Sequence, residues 1–194
     1  MPRRTTTETT EAILDNAAGL LASLGPRDLS VQAVADATSL AKSSILYHFG
    51  SRQALLDAAV QQCVREAIGL TEVTGDDRAR LRALAELSLS RPGWIRLVIA
   101  GVTNLHGTEV AAGLRPAIEA LYGLFGVDIE NPLADPDRAM RVTGTLGALA
   151  IFVIDAPPLL PPAARLQAVE DVCAGILEAG PGRGRTAGAA PAVS

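Results

Sequence analysis

Residues 31–56, VQAVADATSLAKSSILYHFGSRQALL, place a run of polar side chains inside a chain that is otherwise strongly aliphatic. Apolar residues spaced as on one helical face occur on both sides of the linker TSLA, with Val31 and Val34 before it and Ile45 and Phe49 after it. This spacing predicts two short helices. Two short helices joined by such a turn have the length and pattern of a helix-turn-helix.

The second of these helices carries side chains that suit contact with DNA. A helix can approach base edges in the major groove when its contacting side chains are small or extendable, as those of Lys42, Ser43 and Ser44 are. Tyr47 and His48 can donate to phosphates, and Arg52 with the amides near the start of the next helix could hold another. The predicted DNA contacts are Ser30, Lys42, Ser43, Ser44, Tyr47, His48 and Arg52.

The rest of the chain also predicts helices. A period-two alternation of apolar and polar residues never persists, so we expect an all-α fold without strands. The fourth helix, at about 23 residues, would be roughly 34 Å long and could connect two regions. The predicted helices cover residues 9–24, 31–39, 42–49, 52–74, 76–90, 94–105, 110–125, 137–154 and 162–179.

We expect two folded parts and a tail. Residues 1–50 would form the helix-turn-helix domain and residues 51–180 a larger helical domain. Residues 181–194, PGRGRTAGAAPAVS, have little to bury and predict a disordered tail. Small residues such as Gly144 and Gly147 in the penultimate helix allow close approach of another helix. The last two helices could therefore pack against a second copy of the chain or complete the core of one copy.

Composition limits the functional classes. The chain of 194 residues is 48% hydrophobic and carries a net charge of −4, and residues 1–52 hold five cations and five anions. DNA binding would therefore depend on the placement of a few charges.

The longest nearly apolar run, residues 142–154, is shorter than the roughly 20 residues that span a bilayer, so we expect a cytoplasmic protein without a membrane partner. Cys63 and Cys173 lack partners at metal-ligand spacing, which predicts buried thiols, no metal site and no cofactor.

The runs AILDNAAGLLASLG and SVQAVADATSLAKSSILYHFGSRQALL resemble the N-terminal domain of TetR-type transcriptional regulators. The resemblance covers about the first 60 residues, and ILYHFGSRQALL is its most specific part. It implies an all-α homodimer whose two recognition helices bind a pseudo-palindromic double-stranded DNA operator. A larger C-terminal domain would hold a ligand pocket and the dimer interface. In most members a small-molecule effector shifts the fourth helix and relieves repression.

The chain departs from the family pattern at three positions. Ser39 stands where the family usually has glycine in the turn, and Ala41 stands where it has a serine that caps the recognition helix. Loss of a cap costs about 1 kcal/mol, and a left-handed backbone at Ser39 would be strained. Leu46 replaces a tyrosine and removes a possible hydroxyl contact. These changes affect the expected DNA sequence preference more than the fold.

The C-terminal part offers candidates for a ligand site. A ligand pocket has an apolar lining with a few polar anchors. Each candidate has an alternative role, because a histidine next to Gly107 suits a helix end and a lone tryptophan suits the core. The few aromatic residues favour an apolar or aliphatic effector. The candidates are Trp94, Asn104, His106, Tyr122, Thr143 and Phe152.

Catalysis is disfavoured. The chain has two histidines, no glycine-rich phosphate loop and no serine in a nucleophile turn. The sequence therefore predicts a ligand-responsive transcriptional regulator, a repressor in the usual form, and not an enzyme. The alternative is a helical protein-interaction module of the same fold that has lost specific DNA binding, which a near-neutral N-terminal domain leaves open.

Overall fold

Helices account for nearly all of the regular structure. The computed structural model describes residues 6–154 and 161–178, and within these ranges it contains nine α-helices, one short 3-10 helix at Pro132–Ala134 and no strand. The predicted all-α class is confirmed. The predicted tail, residues 181–194, lies outside the described residues. The helices are α1 (Thr6–Asp28), α2 (Val31–Thr38), α3 (Lys42–Phe49), α4 (Arg52–Leu70), α5 (Asp77–Ser90), α6 (Pro92–Thr103), α7 (Glu109–Leu124), α8 (Pro136–Ile154) and α9 (Pro162–Glu178).

Side-chain caps fix where five of the described helices begin. The hydroxyl or carboxylate oxygen of the residue before the helix accepts a hydrogen bond from a backbone N–H three residues later, which satisfies a donor that the helix cannot. Ser and Asp are frequent at this position for that reason. The caps are Ser30 for α2, Ser51 for α4, Asp76 for α5, Thr108 for α7 and Asp135 for α8.

The ends of α4 and α1 differ from the sequence prediction by four residues each, and the other helix ends differ by less. The prediction that α4 reaches residue 74 is wrong, because α4 ends at Leu70 and has 19 residues, about 28 Å. The residues that follow include the β-branched Thr71 and Val73 and then Gly75, all poor helix formers. In α1 the backbone leaves the helical conformation at Gly25 (φ 80°, ψ 169°), and the chain makes one further turn before Asp28.

The core joins the two expected parts along long helix pairs. The side chains of Ile13, Val34, Ile45 and Leu55, from α1, α2, α3 and α4, are fully buried together in the N-terminal part. α1 also packs along α6, and α4 packs along α7. The helix-turn-helix is therefore connected to the C-terminal helices through both α1 and α4.

The C-terminal helices pack mainly around α8. α8 pairs with α9 and contacts α6, and α5 covers the α8–α9 pair. A Cβ atom at Gly144 would lie 3.4 Å from Cγ2 of Ile176, so α8 and α9 approach closely within one chain. None of the described helices is both long enough and apolar enough to cross a bilayer.

Candidate DNA interface and ligand groove

The turn between α2 and α3 holds the two helices at a fixed angle. Ala35 and Ile45 are fully buried between the helices, and the N–H of Leu40 donates to Ala35 O over 3.0 Å. Ser39 lies in the left-handed region, at φ 56° and ψ 34°. Among the described residues it is the only non-glycine with a positive φ. The left-handed backbone predicted for Ser39 is therefore confirmed.

The start of α3 is open to solvent. Ala41, at the cap position, makes no side-chain hydrogen bond, as expected for the loss of the usual serine. Its carbonyl oxygen accepts from the N–H groups of Ser44 and Ile45, over 2.9 and 3.3 Å. The amides at the beginning of the helix therefore have no side-chain cap, and Lys42 and Ser43 are exposed beside them.

The predicted contact residues of α3 lie on its outer side. Lys42 and Ser43 are exposed, Ser44 and His48 are partly exposed, and the side chain of Tyr47 is 88% exposed. Lys42 is the only lysine in the sequence. In the described part of the chain it makes no ion pair or side-chain hydrogen bond. A free cation and small hydroxyls thus share one accessible surface.

Ser30 and Arg52 flank this surface in different ways. The hydroxyl oxygen of Ser30 accepts from Ala33 N over 3.0 Å, and its proton remains available to an outside acceptor. The Arg52 guanidinium instead donates inward, from Nε to Leu29 O over 2.6 Å and from Nη2 to Pro26 O and Arg27 O. A cation suits carbonyl groups at the end of a helix. Arg52 therefore holds α4, and α3 before it, against the end of α1, and the phosphate contact expected from the sequence stays a prediction.

α6, α7 and α8 surround an apolar groove with a volume of about 160 Å³. Tyr122 Oη and Thr143 Oγ1 lie 2.9 Å apart at this groove. Because Thr143 donates its proton to Ala139 O over 2.8 Å, the tyrosine is the donor of the pair, and its oxygen can accept from a ligand. The groove is lined by Ile95, Val98, Ile99, Val102, Thr103, Ile118, Leu121, Tyr122, Thr143, Leu146 and Gly147.

A larger cleft lies between α4 and the start of α7. Its volume is about 820 Å³, and its walls include Arg27, Asp57, Arg65 and Glu109. A small apolar molecule gains most where apolar walls exclude water, because the free energy of transfer follows the apolar area that is buried. The walls of the groove between α6, α7 and α8 meet this requirement better than the charged cleft.

The N-terminal domain can be compared with known families. Residues 13–59 match the family model described as bacterial regulatory proteins, tetR family. This part of the chain is therefore similar to the N-terminal domain of that family. No curated protein matches the chain.

Solved structures extend the comparison beyond residues 13–59. A TetR-family member from Streptomyces coelicolor A3 superimposes with a TM-score of 0.57 at 19% identity, over 91% of this chain and 93% of that chain. A transcriptional regulator from Rhodococcus sp. Rha1 gives 0.55 at 20% identity, over 90% and 97%. The TetR-family regulator PfmR from Thermus thermophilus gives 0.53 at 20% identity, over 86% and 97%. At these identities the comparison shows the fold, and the shared fold includes the helices that follow residue 59.

The structure does not bring the six ligand-site candidates together. Tyr122 and Thr143 line the groove. Trp94 is in the core, where its indole N–H donates to Cys63 O over 3.0 Å. Asn104 and His106 are exposed after α6, and the Nδ1 atom of His106 lies 2.9 Å from Thr103 O. Phe152 is half-buried against the core and is absent from the groove walls.

Sequence reasoning missed the aliphatic wall of the groove. α6 supplies Ile95, Val98, Ile99 and Val102 to it, and these residues have the spacing of one helical face. The neighbouring Leu97 is fully buried. A helix that is apolar on more than one face needs more than one partner. That pattern in α6 was the available signal for the groove.

Both cysteines are unreactive parts of the core. Cys63 and Cys173 are free and buried, which confirms the predicted buried thiols. Burial raises the pKa of Cys173 to about 11 and raises the pKa of Cys63 still further. Because the thiolate is the nucleophile and metal ligand, neither side chain has the character of a reactive group at neutral pH.

Proposed function

We propose that the protein is a ligand-responsive DNA-binding transcriptional regulator. It would act as a homodimeric repressor that releases a pseudo-palindromic operator when a small molecule occupies the groove between α6, α7 and α8. The observation that carries this proposal is the exposed face of α3, which presents Lys42, Ser43 and Tyr47 on a TetR-family helix-turn-helix whose inner face is buried.

The length of each side chain on α3 determines which part of the DNA it would contact. Ser43 and Ser44 are short enough for the helix to sit deep in the major groove, where hydroxyls can donate to or accept from base edges. Lys42 extends from the first turn to a base edge or a phosphate. Tyr47, His48 and Ser30 donate to phosphates on either side and fix the register of the helix.

A second copy of the chain would cover apolar residues on α8 and α9. The side chains of Met140 and Ile151 on α8 are 72% and 64% exposed, and that of Val172 on α9 is 46% exposed. Pairing through this face would give a twofold dimer with one recognition helix per half-site. Half-sites in such dimers lie about 34–36 Å apart, which is one turn of DNA.

The groove sets the class of effector. An apolar cavity of about 150 Å³ accommodates a molecule the size of benzene. We therefore infer a small, mostly apolar effector with one donor group that binds the oxygen of Tyr122. Such a ligand changes operator binding only if its affinity differs between the operator-binding state and the released state of the protein. Equal affinity for both states would leave their populations unchanged.

The single lysine makes a direct test possible. An operator is first selected from a random duplex pool, and the purified protein is then acetylated with and without this duplex. We expect the operator to slow acetylation of Lys42, read by peptide mass, and an unrelated duplex at about 150 mM salt to leave it unchanged. The α-amino group is the internal control. A protein that selects no sequence even at low salt would favour the interaction-module alternative.

A further inference from the structure

The start of α6 is capped by a side chain from α1. Arg91, at the cap position of α6, makes no side-chain cap bond of its own. Instead, Asp15 Oδ1 on α1 accepts from the backbone N–H of Trp94 over 3.0 Å, and the N–H of Gly93 also donates to Asp15. A carboxylate is the preferred partner for the free amides and positive dipole at a helix start. One end of α6 is thus fixed to the DNA-binding domain.

The backbones of α1 and α6 touch at this point. A Cβ atom at Gly93 would lie 1.8 Å from Asp15 O, so only glycine fits there. A Cβ atom at Gly19 would lie 3.4 Å from Gly93 Cα. With no side-chain layer between the two helices to deform, a displacement of the start of α6 must displace α1 as well.

Arg91 and Trp94 strengthen the same junction. Arg91 Nη2 donates to Glu11 Oε2 on α1 over 2.8 Å, and its Nη1 lies 3.5 Å from Glu66 Oε1 on α4. The indole of Trp94 adds the bond to Cys63 O on α4. We call the set Asp15, Arg91, Gly93 and Trp94 the α1–α6 clamp.

The groove and the clamp lie on one short helix. α6 has 12 residues, so it is about 18 Å long. Ile95, Val98, Ile99 and Val102 face the groove along the length that follows the clamp. A helix of this length moves as a rigid body. A ligand that displaces the groove face of α6 therefore also displaces the start of α6, which the clamp holds against α1.

We propose that the α1–α6 clamp transmits occupancy of the groove to the helix-turn-helix through α1. Asp15 and Arg91 are positioning residues in this scheme, since they contact neither the groove nor the exposed face of α3. The inference rests on the proposed function. It adds a route through α1 to the shift of α4 that the family resemblance implies.

The test fills the groove by mutation, because no ligand is then needed. A Cβ atom at Gly147 would meet no atom within 4 Å, so Gly147→Leu places its side chain in open space beside the groove. Operator affinity is measured by fluorescence anisotropy for Gly147→Leu alone and combined with Asp15→Ala. We expect Gly147→Leu to weaken binding about tenfold in the wild-type background, a typical allosteric coupling. With Asp15→Ala already present, the same change should alter binding less than about twofold.

Matched variants separate the clamp from general stability. Asp15→Asn keeps an oxygen that can accept from Trp94 N and should retain the response. Asp28→Ala removes another carboxylate from α1 and should leave the response unchanged. Should a variant fail to fold, Val102→Phe replaces Gly147→Leu as the groove filling, and Arg91→Gln replaces Asp15→Ala as the break. The surface variant Arg82→Gln, which loses the pair with Glu86, is then the control.

Trp94 gives a second readout, because it is the only tryptophan in the chain and lies in the clamp. Groove filling should shift its emission in the wild-type background and leave it unshifted with Asp15→Ala. A role confined to stability would not produce this loss of response.

The outcomes identify which claim fails. If no operator is selected, the proposed function fails. If an operator is bound but neither groove filling weakens binding, the groove assignment fails. Either of these two results also overturns the clamp inference. If groove filling weakens binding equally with and without Asp15→Ala, the function and groove stand and the clamp inference alone is overturned.

Discussion

Ser39 combines an ordinary side chain with a backbone conformation that favours glycine. Its φ of 56° closes α2 and allows Leu40 to turn into the core before α3 begins. A left-handed backbone costs an L-residue about 1–2 kcal/mol. Glycine at the same position would relieve that strain but lose about 0.4–1 kcal/mol through the greater freedom of the unfolded chain.

We expect Ser39→Gly to raise the free energy of unfolding by roughly 0.5–1 kcal/mol, the difference between these two effects. Urea denaturation followed by circular dichroism measures it. Ser43→Gly is the matched control, because Ser43 is exposed inside α3 and glycine in a helix costs about 0.5–1 kcal/mol. Destabilisation by both substitutions would contradict strain at Ser39.

Residues whose role is local could be predicted from the sequence, and residues whose role depends on distant partners could not. The exposed polar face of α3 and the cap at Ser30 follow from neighbours within a few positions. Arg52 could not be placed, because its acceptors lie 23 to 26 positions earlier in the chain. Trp94 was ambiguous for the same reason, since its partner Cys63 O belongs to α4.

At the scale of helices, the 3.6-residue period located every described α-helix, and the errors are at the ends. The pattern predicted a longer α4, although β-branched residues and Gly75 follow Leu70. Where a capping side chain marks the start, as Ser51 does for α4, prediction and structure agree. The groove could not be located, because the spacing of apolar residues within a helix does not show which other helices pack against it.

The junction of α1, α4 and α6 makes stability depend on pH. Burial raises the pKa of Glu66 and of Asp15 above their ordinary values, against the opposing effects of hydrogen bonds and of Arg91. A raised pKa means that the folded state binds the proton more tightly than the unfolded state. The contribution to stability is therefore largest below the ordinary carboxyl pKa of about 4 and is lost as the pH rises through the raised values.

We expect the stability of the wild type, relative to Glu66→Gln, to fall as the pH rises from about 4 to about 7, because glutamine cannot ionise. Thermal or urea unfolding at a series of pH values measures the difference. Glu86→Gln, which replaces an exposed carboxylate paired with Arg82, is the control. A relative stability that increases with pH would contradict the sign derived for Glu66.

At the scale of the whole molecule, the sequence predicted the all-α class and a helix-turn-helix followed by a larger helical part. It did not predict that α1 packs along α6, because Asp15 and Trp94 are 79 positions apart. Helix periodicity within α1 or α6 carries no information about that pairing. The sequence thus predicted the connection through the fourth helix, whereas the connection through α1 and α6 was visible only in three dimensions.

Assembly gives a prediction at the same scale. We expect Ile151→Glu to convert the proposed dimer to a monomer in sedimentation velocity and to weaken operator binding by at least about tenfold. A buried charge without a partner is costly, and each half-site of the proposed operator needs its own copy of the chain.

Leu133→Glu is the control for this substitution, since Leu133 is 81% exposed in the short 3-10 helix between α7 and α8 and is not part of α8 or α9. It should change neither mass nor affinity. A dimer that survives Ile151→Glu would place the interface elsewhere.

The solitary lysine at the beginning of α3 also governs how the molecule can be handled. Reagents that couple through primary amines, including activated-ester dyes and carboxymethyl sensor surfaces, have only Lys42 and the chain's α-amino group to react with. Attachment at Lys42 would cover the exposed face of α3 with the dye or the matrix. Under the proposed function, a preparation labelled in this way would register as inactive toward DNA although its fold is intact.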